Sequence, residues 1–362
     1  MSAPIQQVRF PARGEFHAAV KQRVEQYFAE SGRSPTGDWR MFVKTGTILT
    51  WLIGSYLFLV FGTTSLLTTL LAMFALAQGC ALVGFNIMHD GAHESYAKSP
   101  TINRLMGGML NVLGGSQRLW RYKHNRLHHT YTNIRSYDDD LETHGLLRFS
   151  PQHPWHPWHR FQPYYALAVY SLLTLSWVTV ADARKIWSGR IGHTHLRTAT
   201  WRDLSAFIGS KIAYFGYAIV LPLFFHPWPY VLMGFVGVHL MLGITLAVVF
   251  QLAHTVDATS FPVPEANTGM MPAAWAVHEV ETTANFAPHN PLITWYVGGL
   301  NFQIEHHLFS RICHVHYPRI SSIVAETCEA FALPYVCYPS LWAALVGHYR
   351  FLQTLGKRPD TV

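Results

Sequence analysis

Residues 45–88 read TGTILTWLIGSYLFLVFGTTSLLTTLLAMFALAQGCALVGFNIM, 44 positions without a single Asp, Glu, Lys or Arg. At about 1.5 Å of rise per residue, such a run reaches roughly 66 Å as helix, enough to cross a hydrocarbon core of about 30 Å twice. Its weak point is Phe61-Gly62-Thr63-Thr64-Ser65, so spans are predicted near 45–62 and 66–88. A second uncharged run, Ile212 to Val256, covers 45 residues and is broken at His226-Pro227-Trp228-Pro229. Proline cannot continue a helix interior, which puts the next spans near 205–225 and 229–250. Two helical hairpins result, each returning to the side it left.

Composition agrees with that reading. Half of the 362 residues are hydrophobic and only 13% are charged, about half the usual share, which excludes a purely soluble, disordered, collagenous or coiled-coil chain. The basic excess, 27 Lys+Arg against 20 Asp+Glu, would suit nucleic acid, but its placement suits a membrane better, and no nucleic-acid partner is expected. Residues 1–44 hold 7 Lys+Arg, 89–204 hold 14 and 251–362 hold 5, whereas the hairpin turns hold none. By the positive-inside rule the face carrying 26 of the 27, with both termini, is cytoplasmic. The remaining one, Lys211, is expected to snorkel from a helix end. Cys80, Cys313, Cys328 and Cys337 form no CxxC pair and read as reduced thiols. No cleavable apolar stretch precedes Lys44, so no secretory signal is expected.

The fold class implied is all-α: four transmembrane helices in two hairpins, capped by a cytoplasmic helical domain. Residues 1–44 form an N-terminal segment, 45–340 the membrane domain with its cap (89–204 and 251–340), and 341–362 a tail. Phe161 to Ala181 is also uncharged but dotted with polar residues, which fits a span or an interfacial helix. The Gly-rich stretch Met106–Gly115 is too short to cross and is placed at the interface.

The 22 histidines cluster. His89-Asp90-Gly91-Ala92-His93 closes the second span, and its i,i+4 spacing puts both imidazoles on one helix face. In His124-Asn125-Arg126-Leu127-His128-His129, His124 and His128 share a face and His129 sits about 100° round the helix. Gln303-Ile304-Glu305-His306-His307 is the third cluster, and His254 follows the fourth span. Isolated histidines are usually structural: His239 is expected to bond between helices, and His153, His156 and His159 to sit in a loop. His314 and His316 are left unassigned. Seven clustered histidines plus His254 are enough for two metals with about four ligands each, and imidazole suits iron, copper, zinc or nickel. Convergence requires all clusters on one side of the bilayer, so the chain crosses an even number of times between His129 and His254. That condition makes 161–181 interfacial and leaves four spans.

HDGAH, HNRLHH and QIEHH, in this order between these hairpins, resemble the three histidine boxes of the membrane fatty acyl desaturases. Gln303, within Asn301-Phe302-Gln303-Ile304-Glu305-His306-His307-Leu308-Phe309, resembles the front-end branch of that family. The resemblance covers roughly 45 to 340. It departs in the first box, where the branch more often has Gly next to the second His, and in carrying no HPGG haem-binding motif. The resemblance implies a di-metal site of two non-haem irons, with His89, His93, His124, His128, His129, His306 and His307 as ligands, His254 as a further one, and Gln303 binding metal or a metal-bound water. Asp138, Asp139 and Asp140 are expected either to orient imidazoles or to form a solvated acidic turn. The implied reaction is O2-dependent desaturation of an acyl chain on lipid, CoA or carrier protein, at the membrane lipid surface. Its two electrons come from a separate donor, a ferredoxin or a cytochrome of the b type. Trp120 and Trp295 either line an acyl tunnel or anchor at the interface. A hydroxylase on the same site is the nearest alternative. A histidine-rich metal transporter is the alternative from another class, disfavoured by spans without Asp or Glu.

Overall fold

A computed structural model describes residues 8–12 and 14–359; both extreme termini, expected on the cytoplasmic side, lie outside the described residues. Helix α1 (Glu15–Ser31) is followed by α2 (Trp39–Gly62) and α3 (Leu66–Ala92). A helical stretch at 117–131, α4, leads to a bent pair, α5 (Pro157–Ser171) and α6 (Leu173–Ser188). Then come α7 (Trp201–Leu223), α8 (Trp228–His254), α9 (Trp275–Glu281), α10 (Gln303–Leu308), α11 (Tyr317–Ala330) and α12 (Leu341–Gly356). Strands among the described residues are two pairs of two-residue segments: Arg190–Ile191 antiparallel to Thr194–His195, and Asn285–Phe286 parallel to Cys337–Tyr338.

Helices α2, α3, α7 and α8 are long and apolar enough to cross a membrane, as the two uncharged runs predict. They overrun those runs because polar residues start and stop them. Asp38 accepts from the Arg40 N–H and opens α2, so Lys44 lies inside that helix. It is buried there, with Nζ 3.0 Å from His314 Nε2. Ser65 and Thr68 form a capping box that restarts the chain as α3. Thr200 and Asp203 do the same for α7, and α8 continues to His254.

One expectation needs correction. Lys211 does not snorkel: its Nζ donates to the carbonyls of Gly114 (2.5 Å) and Val178 (2.8 Å), with Asp182 at 4.0 Å. The Gly-rich stretch and α6 supply acceptors at that depth, so the ammonium is held inside the protein. The segment 161–181 is not one straight helix. Helices α5 and α6 meet at 47°. The Tyr170 hydroxyl is 2.7 Å from His348 Nε2, and His348 Nδ1 reaches the Thr255 carbonyl at the end of α8. Thr174 then donates to the carbonyl of His239, fifteen positions before His254. Trp177 packs with Met88 and Ala92 at the end of α3. The segment therefore packs beside α8 and then against the end of α3. His239 bonds between helices as expected, to Tyr214 of α7 and to Thr174.

Candidate metal centre

Four chain segments bring their histidines to one place. His89 and His93 sit at the end of α3, His124, His128 and His129 on α4, His254 ends α8, and His306 and His307 lie on α10. A core of Phe16, Val20, Ala276, Val280, Ile304, Leu308 and Val324 seats α10 against α1, α9 and α11. His89, His93, His124 and His306 each place a ligand atom within 4.8 Å of the others', and so do His128, His254 and His307. His129 lies between the groups, its ring centroid 4.5 Å from that of His306 and 4.3 Å from that of His307. All eight are buried.

The second cluster departs from α-helical expectation. Residues Tyr122–His128 form a π-helix, and the His129 N–H reaches back to the His124 carbonyl, five residues earlier. The wider turn swings His129 toward His124 instead of about 100° away, so the two Nε2 atoms stand 3.2 Å apart. Such π segments are frequent at functional sites because they re-aim side chains within a continuous helix.

The donor set fits a metal. Nε2 of His89, His93, His128, His254, His306 and His307 is in each case buried without a hydrogen-bond partner, as are His129 Nδ1 and Gln303 Oε1. Orphaned buried polar atoms are costly, and a cation held among these histidines would satisfy them. Burial, reinforced by neighbouring imidazoles, holds His93, His124, His129, His306 and His307 well below the usual imidazole range, in the neutral form that binds metal. His128 goes the other way. Burial lowers it, but the Asp138 and Asp140 carboxylates together outweigh burial and raise it.

With this arrangement in place, comparison with known proteins is decisive: a fatty acid desaturase family model matches residues 64–339, which hold all three histidine clusters. The chain belongs to the fatty acid desaturase family. The desaturase is 35% identical over 353 residues to the sn-1 linoleoyl-lipid 6-desaturase of Synechocystis sp., covering 97% of this chain and 98% of that one. It is 36% identical over 365 residues to the Arthrospira platensis enzyme of the same name, covering 100% and 98%. It is 37% identical over 348 residues to the acyl-lipid (8-3)-desaturase of Physcomitrium patens, covering 94% and 72%.

Around the desaturase's histidines, the three aspartates separate. Asp138 is buried, with Oδ2 3.0 Å from His128 Nδ1. Asp140 lies 3.7 Å from the same nitrogen and pairs with Lys123, whereas Asp139 pairs with Lys185 and Lys123 and faces no ligand candidate. The acidic turn is thus neither solvated nor uniform. Trp120 stacks on His124 with centroids 4.3 Å apart, while Trp295 is 41% exposed beneath Lys44. Asp90, inside the first box, accepts from His314 Nδ1 at 2.8 Å and from Cys313 Sγ at 3.0 Å. Sequence reasoning missed Asp90, Glu279 beside His307, and Tyr317, whose hydroxyl is 3.1 Å from His306 Nδ1. The position of Asp90 within HDGAH was a usable signal; Glu279 and Tyr317 lie in no motif.

Proposed function

We propose that this protein is an acyl-lipid desaturase whose histidines hold two non-haem irons. His89, His93, His124 and His306 serve one position, His128, His254 and His307 the other, and His129 stands between them. Gln303 is available to a metal or to its bound water. The observation that carries this reading is the set of six buried Nε2 atoms without a hydrogen-bond partner, on residues whose ligand atoms gather within 4.8 Å in two groups. Bound there, two irons would supply the O2-activating chemistry that no side-chain acid or base can provide. The overall change converts a –CH2–CH2– pair, O2, two electrons and two protons into –CH=CH– and two waters.

The chain's own residues do the rest. Asp138 holds the N–H of His128 and so aims its Nε2 inward. Trp120 and its neighbours Met88, Leu110 and Trp177 present an apolar wall beside the histidines, suited to an acyl chain and hostile to water. The names of the relatives support a glycerolipid-bound linoleoyl group as substrate, with the new double bond on the carboxyl side of the existing ones. The distribution of basic residues supports a cytoplasmic site, and Arg118, Arg121 and Arg126, close to the second box, suit an acidic ferredoxin or b-type cytochrome as electron donor. The test is expression in a host supplied with linoleate, with double-bond and glycerol positions located by mass spectrometry. A 6,9,12-trienoyl chain on glycerolipid supports the reading. A hydroxylated chain, or no lipid change with iron and a donor supplied, contradicts it.

A further inference from the structure

Glu279 belongs to no histidine box, yet it is fully buried on α9, 0% exposed. Its Oε2 stands 2.6 Å from His307 Nδ1 and 2.9 Å from Thr132 Oγ1. Thr132 Oγ1 is also 2.7 Å from the His128 carbonyl, so Glu279 joins the third histidine cluster to the end of the second. A neutral imidazole carries one N–H, and an oxygen acceptor at Nδ1 fixes the tautomer that leaves the lone pair on Nε2. His307 Nε2 is the buried, unpartnered nitrogen that lies among those of His128 and His254.

We propose that Glu279 is a positioning residue: its oxygen fixes the tautomer and ring angle of His307, and through Thr132 it locks the third cluster onto the second, completing the His128/His254/His307 position. This rests on the metal-binding reading above. The role belongs to an acceptor oxygen at that place, so an amide can fill it and a thioether cannot. The other group relies on different partners: His306 has the Tyr317 hydroxyl, and among the described residues no hydrogen bond joins Glu279 to His89, His93 or His124. The consequence should therefore be confined to one of the two metal positions.

The test uses the full-length protein in nanodiscs, depleted of metal and titrated anaerobically with Co2+, read by its visible absorption and by bound metal per chain. Two Co2+ in the unsubstituted protein tests the metal-binding reading itself; the variants are then compared with it. Glu279→Gln should keep both sites with affinities within a few-fold. Glu279→Met should weaken one site about 10–100-fold and leave the other unchanged, and adding it to His307→Ala should cause no further loss. Should Glu279→Met fail to accumulate in the membrane, Glu279→Asp serves, because one methylene less withdraws the acceptor and should weaken the same site. Two sites of unchanged affinity in Glu279→Met or Glu279→Asp would overturn the proposal. So would a loss in Glu279→Gln as large as that in Glu279→Met.

Discussion

At the scale of single residues, the aspartates after the second box give the sharpest contrast. Asp138 touches His128, whereas Asp139, one position on, touches only lysines. Asp138→Ala should therefore lower metal affinity about 10–100-fold, while Asp139→Ala leaves it within about twofold; bound iron measured against a chelator series checks both. His128→Ala should abolish product and leave the protein membrane-inserted, since it removes a buried nitrogen and no apolar span; retained desaturation would take the second box out of the site. Those histidines are legible in the sequence because their partners sit four or five positions away on the same turn. Glu279 is not, because its partner His307 is 28 positions away and Thr132 147. Only the packing of α9 against α10 brings them together.

At the scale of elements, the four apolar helices are legible because lipid imposes its requirement on every residue of a span. The π turn of α4 and the bend between α5 and α6 are not, since both depend on which partners tertiary packing supplies. The glycine of HDGAH shows how an element carries the site. A Cβ on Gly91 would collide with the backbone N of Gly107 in the helix Pro100–Gly107. Gly91→Ala should therefore destabilise the protein by about 1–3 kcal/mol. Gly46→Ala, where a Cβ meets nothing within 4 Å, should be neutral or stabilising. Thermal unfolding in detergent compares the two. His348 of α12 adds a pH dependence. Burial depresses it to about 4, from an ordinary 6.5, so it stays neutral between Tyr170 and Thr255 when the unfolded chain would take up a proton. Its contribution is intact above pH 6.5 and is lost as pH falls toward 4, on the order of 3 kcal/mol in total. His348→Gln, which can keep both hydrogen bonds, should flatten unfolding stability across that window; an unchanged slope would contradict it.

At the scale of the whole molecule, the meeting of all three clusters with His254 requires an even number of crossings between His129 and His254. With α7 and α8 as two crossings between His129 and His254, a shared site requires the α5–α6 pair to begin and end on one side. A single cysteine in the turn Phe61–Ser65 should then label from outside the cell, and one at Arg190 only after permeabilisation. Outside labelling at Arg190 would make α5–α6 a span and split the site. The charge-free runs made the four apolar helices readable, yet the expected sidedness of 161–181 came from the histidines, and its packing beside His239, Thr255 and Met88 only from tertiary contacts. The measurement that tests the central claim most directly is the metal content of the protein purified after expression with iron supplied. The account predicts two irons per chain; one tightly bound zinc and no iron would contradict it.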